Sequence, residues 1–98
     1  MIRLTISPAA IYDIESIGDH IAQDNPARAL SFISELYNQC QRIGESPETY
    51  QKRPELGRDV RISASGKYLI VFTAIQRNVR IERVLHGARN ILCLLAHR

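Results

Sequence analysis

The first 23 residues combine a short strand pattern with a helical one. Residues 2–6 alternate apolar and polar side chains, which predicts a strand with one buried face. Ser7 offers an oxygen to free helical amides and Pro8 suits the first helical turn, so a helix is expected to begin there. Apolar residues then recur at spacings of four, three and four and predict an amphipathic helix to about Gln23, with the buried face formed by Ala10, Ile14, Ile17 and Ile21.

A second helix is predicted directly after the first. Asn25 and Pro26 repeat the capping chemistry, and Gly44 marks the expected end. Only Asp24 and Asn25 separate the two helices, so they are expected to form an antiparallel hairpin. The apolar stripe of the second helix comprises Ala29, Ile33, Leu36, Cys40 and Ile43.

The second half of the chain has the periodicity of strands. Residues 45–57 lack an apolar period, which predicts a loop, and residues 60–64 then alternate as a strand. Residues 68–75 are apolar on both faces, which is typical of a central strand. Alternation over residues 79–85 predicts a further strand, with Arg83 on the same face as the apolar residues that begin it. Short turns between these three strands predict an antiparallel meander.

The predicted element order is β-α-α-β-β-β in a single domain that spans residues 1–98. Such an order is typical of an α+β fold in which the helical hairpin packs on one face of a small antiparallel sheet. Periodicity does not assign the position of the first strand in that sheet. A short apolar C-terminal segment, residues 91–95, is expected either to fold back on the sheet or to be covered by another chain.

Charge is divided unevenly between the two halves. Residues 1–49 carry seven acidic and three basic side chains, whereas residues 50–98 carry three acidic and ten basic ones. Positive charge is therefore expected to collect on the sheet and its loops, with an arginine-rimmed, uncovered sheet face available to an acidic partner.

Four basic residues near the predicted strand ends are candidates for a binding face: Arg61, Arg83, His86 and Arg89. Guanidinium groups with an imidazole suit phosphate recognition. The alternative is that the arginines only solvate the open face and that His86 is a turn residue. The sequence contains no nucleophile motif, phosphate loop, carboxylate pair or metal-ligand cluster, so no catalytic residue, metal, cofactor or small-molecule substrate is predicted.

The two cysteines, Cys40 and Cys93, are interpreted as reduced thiols that face the core. No apolar run reaches the length of a membrane span, and the N-terminal residues lack the order of a signal peptide. The sequence therefore predicts a cytoplasmic protein without a membrane partner.

Several strings, in their order and spacing, resemble the ParE branch of the RelE/ParE toxin superfamily across nearly the whole chain. The first half contributes the following strings: Ser7-Pro8-Ala9-Ala10, Asp13-Ile14 and residues 21–26, with Ala29 and Phe32. The second half contributes the following strings: Arg53-Pro54-Glu55-Leu56-Gly57, Val60-Arg61, Gly66-Lys67-Tyr68-Leu69-Ile70 and Arg83-Val84-Leu85-His86-Gly87-Ala88-Arg89.

The resemblance implies a bacterial type II toxin, of the kind linked to plasmid stabilization, with a cognate antitoxin whose disordered segment folds over it. Candidate antitoxin contacts are Tyr50, Arg53, Arg58, Ile91, Leu92, Leu94 and Leu95.

The resemblance also implies a target, and two alternatives remain open. ParE-like toxins are associated with poisoning DNA gyrase, which blocks replication, whereas RelE-like relatives cut messenger RNA on the ribosome with basic residues and a terminal tyrosine. Ser63 stands where the ribonuclease branch tends to carry an arginine, and no tyrosine follows Arg89. We therefore expect a non-enzymatic gyrase inhibitor, with a ribosome-dependent endoribonuclease acting through Arg61, Arg83, His86 and Arg89 as the alternative.

Overall fold

The computed structural model of the protein describes residues 2–87. Within them lie two helices and five strands, which are the four strands of the predicted α+β order and one additional short strand. In chain order the elements are β1 (Arg3–Ile6), α1 (Pro8–Ala22), α2 (Pro26–Glu45), a 3₁₀ turn (Pro47–Thr49), β2 (Gln51–Lys52), β3 (Val60–Ser65), β4 (Tyr68–Ile75) and β5 (Asn78–His86).

The strands form one mixed sheet in the order β1-β5-β4-β3-β2. The meander of β3, β4 and β5 is antiparallel, and β4 is central, as predicted. The sheet is not antiparallel throughout, because β1 pairs with β5 in parallel. Residues 45–57 are also more ordered than the predicted loop, since they contain the 3₁₀ turn and β2, which extends the sheet beyond β3.

Side-chain caps fix where both helices begin. The Ser7 hydroxyl oxygen accepts a hydrogen bond from the Ala10 amide at 3.0 Å. The Asn25 side-chain oxygen accepts one from the Arg28 amide, also at 3.0 Å. Each cap is followed by proline in the first turn. The capping predictions are confirmed, and the caps set the short crossover that makes α1 and α2 antiparallel neighbours.

The main core lies between the hairpin and one face of the sheet. Its most buried side chains come from both helices and from β4 and β5, and include Ile14, Leu36, Cys40, Ile43, Ile70, Phe72, Val79 and Ile81. The helices approach closely at Gly18, where an added Cβ would lie 2.5 Å from Ile33 Cδ1. This close approach packs the two helices against each other as a single layer.

A smaller apolar cluster covers the other side of the sheet. Leu56, from the segment before β3, is buried together with Val60, Val71 and Leu85, and Ile62 and Leu69 pack against them. The face expected to be open and rimmed by arginines therefore carries a second apolar core. Alternating apolar residues in β3 and β4 supply it, because both faces of β4 are apolar.

An irregularity in β5 changes which side chains share a face. The pairing with β4 shifts between Val71 and Phe72, so that Phe72 opposes Ile81 and Val71 opposes Arg83. Glu82 has no Cα partner on β4 in this pairing, as in a β-bulge. The residues after it therefore point to the opposite faces from those that simple alternation predicts. As a result Val84, not Arg83, joins the core that contains Val79 and Ile81. The predicted facing of Arg83 is wrong for this reason.

We predict that Cys40 reacts with thiol reagents only when the fold opens. Burial raises the pKa of its thiol to about 11, and the side chain is fully buried in α2. At pH 8 the thiolate fraction should fall about 100-fold below that of an ordinary cysteine. Alkylation followed by peptide mapping, in a Cys93→Ser variant, should show slow modification that denaturant accelerates. Equal rates with and without denaturant would contradict the prediction.

Candidate functional site

Arg83 is tied to the first helix by a bidentate ion pair. Its Nε donates to Asp13 Oδ2 at 2.7 Å and its Nη2 donates to Asp13 Oδ1 at 3.0 Å. Asp13 Oδ2 also accepts the Val84 backbone N–H at 2.9 Å. The hydrogen bond to Asp13 raises the pKa of Arg83. The Asp13 side chain is 11% exposed and that of Arg83 39%, so the pair is half-buried and the guanidinium holds α1 against β5.

Arg61 occupies a different place, on β3 opposite Phe72 and beside Lys52 of β2. One of its Nη atoms donates to the Tyr50 carbonyl oxygen at 2.8 Å. The side chain is partly exposed, and a guanidinium has five N–H donors. Arg61 therefore has further N–H donors for a bound molecule. The hydrogen bond to the Tyr50 carbonyl oxygen orients its side chain.

A polar network lies between α2 and β3. The Gln39 amide donates to the Ser63 hydroxyl at 2.9 Å and to the Tyr50 phenol oxygen at 3.2 Å. Arg42 Nε donates to Gln39 Oε1 at 3.1 Å. Ser63 is 3% exposed, so its hydroxyl is part of the interior. The network holds the side chain of Tyr50, the residue directly before β2.

His86 ends β5 beside a shallow groove on the helix side. Its ring meets the Tyr68 ring edge-on, with centroids 5.1 Å apart. The groove has a volume of about 300 Å³ and is also lined by Ser16, Ile17 and His20 of α1. The groove places His86 beside polar, aromatic and apolar side chains on the hairpin side of the sheet, at the other end of β4 from Arg61.

The structure does not bring Arg61, Arg83 and His86 to one place. Arg61 opposes Phe72 of β4, whereas His86 opposes Tyr68, four positions along the same strand. Four positions in a strand correspond to about 13 Å. Arg83 lies on β5 and turns to Asp13. Arg89 lies outside the described residues, so its place relative to the other three stays a prediction.

The candidate antitoxin contacts are distributed along the segment before β3. Tyr50 is half-buried, and its ring packs edge-on against Phe72 with centroids 5.7 Å apart. Arg53 forms an ion pair with Glu55 at 2.5 Å, and that hydrogen bond lowers the pKa of Glu55. Arg58 is exposed. The remaining four lie outside the described residues: Ile91, Leu92, Leu94 and Leu95.

Comparison with known proteins identifies the family. The family model described as the ParE toxin of the type II toxin–antitoxin system parDE matches residues 4–91. The chain belongs to the ParE toxin family. A solved structure titled as the chromosomal ParDE TA system from P. aeruginosa is similar in fold, with a TM-score of 0.78 and 20% sequence identity over 89% of this chain and 97% of that chain. Comparison with curated proteins gives no significant match.

Two features of the described residues bear on the chemistry of this ParE-family toxin. Within residues 2–87, neither helix has the length and hydrophobicity that crossing a bilayer requires. The same residues contain no cluster of three or more His, Cys, Asp or Glu side chains placed to bind a metal ion.

Sequence reasoning missed Asp13 and Gln39, the two helical residues that organise the basic strands of this ParE fold. Gln39 contacts Tyr50 and Ser63. Asp13 had one signal, because Asp13-Ile14 is among the strings that resemble the family. Its partner, however, is separated from it by 70 positions, which no local pattern spans.

Proposed function

We propose that this ParE-family chain is the toxin of a type II toxin–antitoxin pair, that it inhibits DNA gyrase without cleaving a substrate, and that it thereby blocks replication. The observation that carries the proposal is the family match over residues 4–91 of the 98-residue chain. Both gyrase and a cognate antitoxin would be met in the cytoplasm, so the proposal places the toxin there. Inhibition by binding requires a surface that is complementary to the target and needs no acid or base.

The arrangement of the basic residues supports binding over RNA cleavage. General acid–base catalysis needs donor and acceptor groups within hydrogen-bond reach of one substrate bond. Arg61 and His86 lie at separate positions along β4, and the guanidinium of Arg83 is held by Asp13. Such a distribution suits contacts with a macromolecular surface. Arg61 is the residue that we assign to the target, because it retains exposed donors.

A cognate antitoxin is the second part of the proposal. The family description names a toxin–antitoxin system, and the exposed basic side chains between the 3₁₀ turn and β3 offer charge to an acidic segment. We assign Arg58 and the C-terminal apolar residues to this contact. An antitoxin that folds as it binds would bury apolar surface and protect the toxin from unfolding.

We expect purified toxin to inhibit supercoiling by gyrase and to accumulate linear plasmid DNA that depends on gyrase. Arg61→Ala should weaken inhibition about tenfold, because an arginine at an interface contributes on the order of 1.4 kcal/mol. Lys67→Ala, which removes one charge from the β3–β4 turn, is the matched control and should inhibit normally. Dose–response curves with thermal unfolding of each variant provide the measurement.

A second assay tests the ribonuclease alternative. Primer extension on translated messenger RNA would reveal ribosome-dependent cleavage through Arg61, Arg83, His86 and Arg89. Cleaved messenger with unaffected gyrase would replace the proposed function by that alternative. If induced expression without the antitoxin leaves colony counts unchanged, the chain is a nontoxic member of the family and both target assignments are wrong.

A further inference from the structure

Arginines gather around one end of the sheet, where β1, β3 and β5 begin and β4 ends. Pairing places Arg3 beside Asn78, which opposes the last residue of β4, and Arg80 opposes Thr73. Arg77 lies in the β4–β5 turn, and its carbonyl oxygen accepts the Arg3 amide at 2.7 Å. Arg3 and Arg77 are therefore direct neighbours.

The segment before β3 brings further arginines to the same end. The Arg53 amide donates to the Val60 carbonyl oxygen at 2.8 Å, at the start of β3. Arg58 directly precedes Asp59, whose carbonyl oxygen accepts the Ala74 amide at 3.2 Å, near the end of β4. We call this part of the molecule the cationic end, and it comprises Arg3, Arg53, Arg58, Arg77 and Arg80.

The charge of the cationic end is only partly neutralised. Glu55 and Glu82 are each paired with the arginine two positions before it. Asp59 is exposed, and Glu45 lies beside Ile2 in the helical layer. Three exposed arginines form no ion pair within residues 2–87: Arg3, Arg58 and Arg77. Two neighbouring guanidinium groups without a carboxylate between them repel one another, and a bound anion would relieve that repulsion.

The spacing and chemistry of the cationic end suit a nucleic-acid backbone. From β1 to β3 there are three inter-strand spacings, so Arg3 and Arg58 lie on strands about 14 Å apart. The major groove of B-DNA is about 12 Å wide, which brings the phosphates on its two sides within reach of both arginines. Exposed Thr5, Gln76 and Asn78 add uncharged side chains of the kind that also contact phosphate and sugar.

We propose that the cationic end binds the phosphate backbone of duplex DNA without reading its sequence. Arg3 and Arg77 contact one side of the major groove, and Arg58 contacts the other. The narrow major groove of duplex RNA does not match this spacing. Arg58 is also assigned to the antitoxin, so the antitoxin and DNA compete for it. The inference goes beyond the proposed gyrase function and does not depend on it.

Binding of the full-length chain to a fluorescent 20-base-pair duplex of arbitrary sequence, followed by anisotropy, tests the proposal. At low salt the Kd should be on the order of 10–100 µM. The logarithm of the association constant should fall against the logarithm of salt concentration with a slope of about −3, for three phosphate contacts. Arg77→Ala and Arg58→Ala should each weaken binding about fivefold and bring the slope about one closer to zero.

Lys67→Ala is the matched control, because it removes the same charge from the β3–β4 turn at the other end of β4. Seven strand steps, about 23 Å, separate the two ends of β4, which exceeds the screening length of about 10 Å at 0.1 M salt. The control should therefore bind like the unaltered chain. Unchanged thermal unfolding of all three variants would show that the effects are on binding.

Four outcomes would overturn the proposal. The first is no detectable binding at low salt. The second is equal weakening by Lys67→Ala, which would reduce the effect to net charge. The third is equal or tighter binding of duplex RNA. The fourth is equal binding of poly-glutamate with the same number of charges, which would assign the cationic end to an acidic protein segment. DNA binding by a chain that leaves gyrase unaffected would support this inference and contradict only the proposed target.

Discussion

Replacing Asp13 with Ala is expected to lower the free energy of unfolding by about 3 kcal/mol, because three hydrogen bonds to one largely buried carboxylate are lost together. Two of them come from Arg83 and the third from the Val84 amide. The substitution leaves the Val84 N–H without its acceptor at the edge of β5. Urea unfolding followed by circular dichroism measures the loss, and the midpoint temperature should fall by about 10–20 °C in a domain of this size.

Two companion variants separate the charge from the backbone contact. Asp13→Asn keeps an oxygen for the Val84 amide and should cost about half as much as Asp13→Ala. Arg83→Ala should cost about 1–2 kcal/mol, because its side chain is 39% exposed and water replaces part of the interaction. A loss below 1 kcal/mol for Asp13→Ala would show that the pair does not hold α1 to β5.

This pair changes how experiments on Arg83 are interpreted. Among the ion pairs of the described residues, the one between Asp13 and Arg83 alone joins the acidic helical half to the basic sheet half. If an Arg83→Ala variant is less toxic, loss of its ion pair with Asp13 explains the effect without any loss of target contact. Arg61 provides the cleaner test, since its described hydrogen bond is to the nearby backbone of Tyr50.

Local patterns were sufficient to place most elements. The caps at Ser7 and Asn25 depend on residues within one helical turn, and both are observed. The run 68–75 was apolar on both faces, and it forms the central strand with an apolar cluster on each side. Such features are predictable because the interactions that produce them lie close together in the sequence.

Features that depend on distant contacts were not predictable. The parallel pairing of β1 with β5 joins residues 3–6 to residues 78–81, and periodicity carries no information on the partner strand. The register shift in β5 has no glycine or proline to mark it, yet it decides which side chains face the helices. The register shift explains why Arg83 does not share the face of Val79 and Ile81.

The candidate site shows the same limit. Arg61 and His86 were grouped because they belong to neighbouring segments of a meander, but meander order does not fix position along the strands. Their partners on β4 are four positions apart. Tyr50 was interpreted as a loop residue of the antitoxin contact, and it also supports the core through Phe72 and Gln39. Its assignment to the antitoxin stays a prediction.

Replacing Ser63 with Arg is expected to destabilise the fold by about 3 kcal/mol, because a long charged side chain would enter a packed interior. Ser63 is 3% exposed and receives the Gln39 amide hydrogen bond. This is the position at which the resemblance to the ribonuclease branch implies an arginine. In this chain position 63 is buried against α2, where Gln39 occupies the space beside the Ser63 hydroxyl.

Ser63→Ala is the matched control for this prediction. It removes the hydroxyl without adding volume, and Gln39 keeps its contact with Tyr50, so a loss of about 1 kcal/mol is expected. Chemical unfolding of both variants should therefore differ by about 2 kcal/mol. An Arg variant as stable as Ser63→Ala would mean that the guanidinium reaches solvent past α2, and a ribonuclease-like basic residue would then be compatible with this fold. A loss of about 3 kcal/mol for Ser63→Arg would show that packing between α2 and β3 excludes an arginine from this position.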